Sequence, residues 1–176
     1  MESSLPGSLA EFAAVVAAMA ISSVGCGRST RDSGASSAEV ATASPRAACA
    51  HAACGDDYVV DAAPVGKCAA GDACAVALTL VAVGDYHIND EYPYQFKAED
   101  EPGVDFLGEG GEGKNVFSKA AKNWEKSGEK TGTMTVRFRP QEAGDKSIRG
   151  RFKFSVCSAK NCELEHQSLK ATVKVL

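Results

Sequence analysis

Within the 176 residues no apolar run reaches the roughly 20 residues needed to cross a bilayer as a helix, so a helical membrane span is not expected. Basic charge is in short supply: 19 Lys and Arg stand against 23 Asp and Glu, a formal net charge of −4. No basic surface for nucleic acid follows from that balance. Strands do not alternate with long helical segments anywhere in the chain, which excludes a parallel α/β sheet. Aromatics are sparse at 7% and prolines number six, whereas cysteine is plentiful, with seven in a chain this short. Most of the cysteines sit in or near pairs, as in the disulfide frameworks of exported proteins, and the compartment implied is oxidising.

The longest uncharged apolar stretch, Phe12 to Val24, has the length of a signal-peptide core. It ends in Ser23-Val24-Gly25-Cys26, and a Ser/Ala/Gly tract follows that cannot bury enough apolar surface to fold. This arrangement resembles the signal of bacterial lipoproteins. The resemblance implies cleavage before Cys26, acylation of that residue, and a domain held to a membrane through an N-terminal lipid anchor on the periplasmic side of a cell envelope. An ordinary secretory signal, with Cys26 as a spare thiol, is the competing reading. The predicted layout is a signal peptide over 1–25, a flexible tether over 26–65 and a folded domain over 66–176. Within the tether the one feature is Cys49-Ala-His51-Ala-Ala-Cys54, which a local disulfide explains as well as unpaired thiols do.

Residues 66 to 176 read as all-β. Val76, Leu78, Leu80 and Ala82 alternate with small or apolar neighbours, as on a buried strand. Met134, Val136 and Phe138 alternate with Thr133, Thr135, Arg137 and Arg139, and Pro140 stops that strand because it has no amide to donate. The pattern returns at Ile148 to Val156 and at Leu169 to Val175. Shorter segments at 94–97, 104–107 and 115–118 bring the total to about seven strands in about 110 residues, the proportions of an immunoglobulin-like antiparallel β-sandwich. One helix is conceivable over Lys119 to Lys126, confined by Gly128 and Gly132.

Four groups bear on chemistry. Gly108 to Asn115 approaches the phosphate-binding pattern, but Asn115 replaces the magnesium-binding hydroxyl and Glu109 and Glu112 would repel phosphate, so a solvated loop is expected. Cys157-Ser-Ala-Lys-Asn-Cys162 would span about 17 Å if extended, against the roughly 4.4 to 6.8 Å between disulfide-linked Cα atoms, so a bonded pair requires a turn at Ser158 to Asn161. The same argument puts a turn at Gly71-Asp72 between Cys68 and Cys74. Local pairing is the first expectation for both, although six cysteines permit 15 connectivities. Beside Cys157 and Cys162, Lys160 would favour a thiolate while Glu163 and Glu165 would oppose it. His87 lies in a patch rich in acids and aromatics, and no sequence feature brings it near a cysteine. No metal site and no cofactor are expected; Cys157, Cys162 and His166 have only loose zinc spacing and lack a fourth ligand.

Tyr86-His87-Ile88-Asn89-Asp90-Glu91-Tyr92-Pro93, taken with Phe152-Lys153-Phe154-Ser155-Val156-Cys157 and Cys162, resembles the N-terminal periplasmic domain of the DsbD thiol:disulfide interchange proteins and their disulfide-bond corrector relatives. The resemblance covers about residues 74 to 176. It implies an immunoglobulin-like sandwich in which Cys157 and Cys162 are a redox pair exchanging electrons with a periplasmic partner protein. A stand-alone lipoprotein would need another protein as reductant. The alternative is a monomeric, non-catalytic envelope domain in which Cys157–Cys162, Cys68, Cys74, Cys49 and Cys54 form permanent staples.

Overall fold

The computed structural model describes residues 52–109 and 113–176, which fall in the compact unit Ala43–Leu176. The predicted signal peptide, Cys26, Cys49 and His51 lie outside the described residues. Two antiparallel sheets make up the domain. The first is built from β1 (Ala53–Cys54), β2 (Tyr58–Val65), β3 (Cys74–Ala82), β6 (Val104–Phe106), β8 (Trp124–Lys126) and β9 (Thr131–Pro140), in the order β1-β2-β3-β9-β6 with β8 also paired to β9. The second runs β11-β10-β5-β7, from β5 (Gln95–Ala98), β7 (Val116–Ser118), β10 (Gly144–Cys157) and β11 (Cys162–Val175); β4 (His87–Ile88) pairs with the far end of β10. This is an all-β, immunoglobulin-like antiparallel sandwich.

The core lies between the sheets and follows from the alternation. On β3 every second residue from Cys74 to Ala82 is buried, and Met134, Val136 and Phe138 of β9 answer them from the neighbouring strand. Ile148, Phe152, Phe154 and Val156 of β10 project from the facing sheet, with Leu169, Ala171 and Val173 of β11 beside them. Aromatic pairs join the layers: Tyr58 meets Phe154 edge-on at 4.8 Å, and Phe106 meets Phe117 at 6.3 Å. Such contacts add about 0.5–1.5 kcal/mol each beyond the area they bury.

Two expectations are corrected. The tether was expected to run to residue 65, yet β1 and β2 belong to the first sheet, with Tyr58 and Val60 in the core. Val59 and Val60 pair with β1, but Pro64 lies beyond that short partner and has only β3 beside it, which is where a strand tolerates a residue with no amide donor. The helix over 119–126 does not form. Lys122 turns the chain with a left-handed φ of 59°, and Asn123 accepts the Ser118 amide through its side chain at 3.1 Å. The chain then enters β8, where Trp124 stacks on Tyr94 at 4.1 Å. Gly132 makes that packing possible, since a Cβ there would stand 2.2 Å from the Trp124 ring.

Candidate functional site

β10 and β11 form a hairpin of two fourteen-residue strands whose register closes at Cys157 opposite Cys162. The two are joined by a disulfide, with Cα atoms 4.0 Å apart. Facing residues of an antiparallel pair share a side of the sheet, so the bond lies on the outer face of the second sheet. Cys157 is buried at 5% exposure, whereas Cys162 is exposed. The four residues between them close through Ser158: its amide donates to the Asn161 carbonyl at 2.8 Å, and its hydroxyl accepts the amides of Lys160 and Asn161. The Tyr86 hydroxyl reaches the Asn161 side-chain oxygen at 3.4 Å, which links this turn to the segment leading into β4.

β4 supplies a neighbour that sequence reasoning missed. His87 is the register partner of Cys157 on the side away from Cys162, so His87, Cys157 and Cys162 stand in one row across three strands. His87 is exposed and borders a pocket of about 430 Å³ formed with Asp85, Tyr86, Asp90, Lys126, Glu129 and Lys130. Within it Lys126 bonds Asp90 at 2.6 Å, and that hydrogen bond holds the Asp90 carboxyl below its ordinary range. Where β10 passes from pairing with β5 to pairing with β4, the buried Tyr94 hydroxyl lies 2.8 Å from the Ser155 carbonyl and 2.8 Å from that of Asn89. Burial pushes the Tyr94 phenol pKa up, so it remains a donor.

The electrostatic expectation at the pair is corrected in one respect. Glu163 and Glu165 alternate with Cys162 along β11 and therefore face the other side of the sheet. There Glu165 accepts from the Tyr58 hydroxyl, and Glu163 accepts from the Asn161 side-chain Nδ2 at 2.6 Å. The residues that share the outer face with the disulfide are Ser155 and Leu164, then Lys153 and His166. The Ser155 hydroxyl lies 3.9 Å from the Cys157 sulfur.

The second described disulfide has a different setting. Cys68 and Cys74 are bonded with Cα atoms 5.4 Å apart, and both sulfurs belong to the buried core. Gly71 provides the turn with a φ of 83°. Cys68 bridges Val175, and its carbonyl accepts the Leu176 amide at 2.9 Å, so this bond ties the start of β3 to the end of the chain. Cys54 on β1 is also disulfide-bonded. Among the described residues no cluster of His, Cys, Asp and Glu could hold a metal ion. The glycine-rich segment near Lys114 joins β6 to β7, closing with the Gly108 amide on the Lys114 carbonyl at 2.6 Å.

Fold and site together define a small antiparallel sandwich with one disulfide in its core and another at the tip of its longest hairpin. No family model matches the chain, and no curated protein matches it. Among solved structures it is similar to AggA, the major subunit of aggregative adherence fimbriae type I from Escherichia coli, at 10% identity and a TM-score of 0.33, over 72% of this chain and 100% of that one.

Proposed function

We propose that the chain is an envelope lipoprotein, anchored through acylated Cys26 and facing the periplasm, whose sandwich is a non-catalytic, disulfide-stapled binding or structural module. The observation that carries the stapled reading is the placement of the described disulfides. One is buried in the core, and the other closes a long hairpin in register with the cysteine on β10 buried. Neither has the C-x-x-C spacing or the helix N-terminus that stabilises a reactive thiolate.

A second reading, thiol-disulfide exchange at Cys157–Cys162 in line with the DsbD resemblance, is favoured by the exposure of Cys162 and by His87 in register with Cys157. In that reaction a thiolate of a dithiol protein attacks the Cys162 sulfur. The Cys157–Cys162 bond breaks, and Cys157 leaves as a thiolate that takes a proton from solvent or from His87. The second partner thiol then attacks the mixed disulfide, releasing Cys162 and leaving the partner oxidised while this domain gains two electrons. A Cys157→Ser variant separates the readings. A staple yields a folded monomer with a free Cys162 thiol, whereas an exchange module accumulates a mixed disulfide that a reductant releases and a Cys157→Ser/Cys162→Ser double variant does not form.

A further inference from the structure

The outer face of the second sheet carries a concentration of positive charge that the net charge of the chain conceals. Register places Lys97 of β5 opposite Arg151 of β10, Arg149 opposite Lys170 of β11, and Lys153 opposite His166, all exposed. Like charges directly across a strand pair are destabilising, so the fold bears a cost at the Lys97–Arg151 and Arg149–Lys170 pairs. Of the cations named on this face, Arg149 alone pairs with described carboxylates, Glu99 at 3.9 Å and Glu101 at 3.5 Å. The acids of this face keep to its rim, with Glu99 and Asp100 following β5 and Asp145 opposite Lys174. Among the described residues Lys97, Arg151, Lys153 and Lys170 form no ion pair within 4.0 Å, although Glu99 and Asp100 line one pocket with Lys97 and Arg151, and the four make a block of cations at the centre of the sheet.

One strand step pair from this block, Leu164 stands on the same face with 64% of its surface exposed. A broad sheet face that offers several unpaired cations and one protruding apolar side chain matches a planar anionic interface, in which the cations meet phosphates and the leucine enters the headgroup boundary. We infer that this face docks on anionic phospholipid headgroups, with Lys97, Arg151, Lys153 and Lys170 as the contacting charges and Leu164 as the inserted residue. A soluble polyanion would use the same cations but has no apolar phase to receive Leu164, which is why the lipid surface is favoured. The inference does not depend on acylation of Cys26, because the contacts belong to the sandwich alone.

The sandwich can be tested alone: the core cluster and both described disulfides lie inside the compact unit Ala43–Leu176, which is long enough to bury its own core. That fragment contains neither the predicted signal peptide nor Cys26. In co-sedimentation it is expected to bind vesicles of mixed phosphatidylglycerol and phosphatidylcholine at low salt, to leave vesicles of phosphatidylcholine alone, and to release as salt rises. Each cation lost weakens binding about five-fold, so Lys97→Glu/Arg151→Glu/Lys153→Glu lowers affinity by about 100-fold or more. The three sites are exposed, and the change exchanges the like-charge pair Lys97–Arg151 for a pair of facing carboxylates, so a single cooperative urea transition, as in the wild type, shows that the variant folds. Leu164→Ser is expected to weaken vesicle binding several-fold and to leave retention on soluble polyphosphate unaltered. Absence of binding to anionic vesicles at low salt, or wild-type binding by the folded triple variant, overturns the inference. Equal binding of Leu164→Ser and wild type to vesicles, with tight retention on polyphosphate, assigns the face to a polymeric anion instead.

Discussion

Removing the two described disulfides one at a time measures what each does for the fold. Cys157 and Cys162 are five positions apart and Cys68 and Cys74 six, so both close short loops. Loop-closure entropy in the unfolded chain then gives about 2 kcal/mol for either bond. In the folded state the two differ. Cys157 and Cys162 sit in a hairpin that fourteen register pairs already hold, and Cys162 is exposed, so Cys157→Ala/Cys162→Ala is expected to lose little beyond the entropic part. Cys68 and Cys74 are both core residues, and their bond fixes the segment that carries the Val175 bridge and the Leu176 hydrogen bond. Cys68→Ala/Cys74→Ala therefore adds lost core packing and sits toward the upper part of the 2–5 kcal/mol typical for a native disulfide in a small secreted domain. Urea unfolding of the Ala43–Leu176 fragment reads the difference. At a slope of about 2 kcal/mol per molar, the hairpin pair shifts the midpoint by about 1 M and the core pair by visibly more. Equal shifts would refute the argument that burial separates the two bonds, and no shift for the hairpin pair would show that it staples nothing.

Two further outcomes follow from single contacts. Tyr94→Phe removes the hydroxyl between the Ser155 and Asn89 carbonyls and leaves a buried acceptor without a donor, at a cost of about 1–3 kcal/mol in chemical unfolding; an unchanged midpoint would show that water replaces it. Asp90 has a folded pKa depressed chiefly by its hydrogen bond to Lys126, so its contribution to stability is present above the unfolded value, near 3.8, and is lost as pH falls through the lower folded one. NMR titration of Lys126→Ala is expected to return the Asp90 carboxyl toward its ordinary range, and an unmoved titration would place the cause elsewhere.

The strands that form the centre of each sheet were legible because alternation at Cys74–Ala82, Thr131–Pro140, Gly144–Cys157 and Cys162–Val175 is what one buried face requires. The turn between Cys157 and Cys162 could be read from covalent dimensions alone. What escaped depends on partners distant in the chain. Tyr58–Val65 holds Ala62, Ala63 and Pro64, a poor strand signal, and is a strand because β3 pairs with it. Lys119 to Lys126 has helical composition, but stacking of Trp124 on Tyr94 over Gly132 overrides it. The juxtaposition of His87 with Cys157 joins segments seventy residues apart, and nothing in local spacing encodes that register. Glu163 and Glu165 looked adjacent to Cys162 along the chain, yet strand alternation turns them to the opposite side. A strand parity argument applied to β11 would have found this from sequence. The basic block was hidden for a related reason, since its members come from three strands and only register assembles them.

A redox titration of the Ala43–Leu176 fragment, with mass mapping of alkylated cysteines at each glutathione potential, tests the stapled-module account most directly. The account predicts that Cys157–Cys162 and Cys68–Cys74 both stay closed until the domain unfolds, below about −300 mV. Opening of Cys157–Cys162 alone, in a folded domain and well above about −300 mV, would contradict it and establish thiol-disulfide exchange as the function of the hairpin tip.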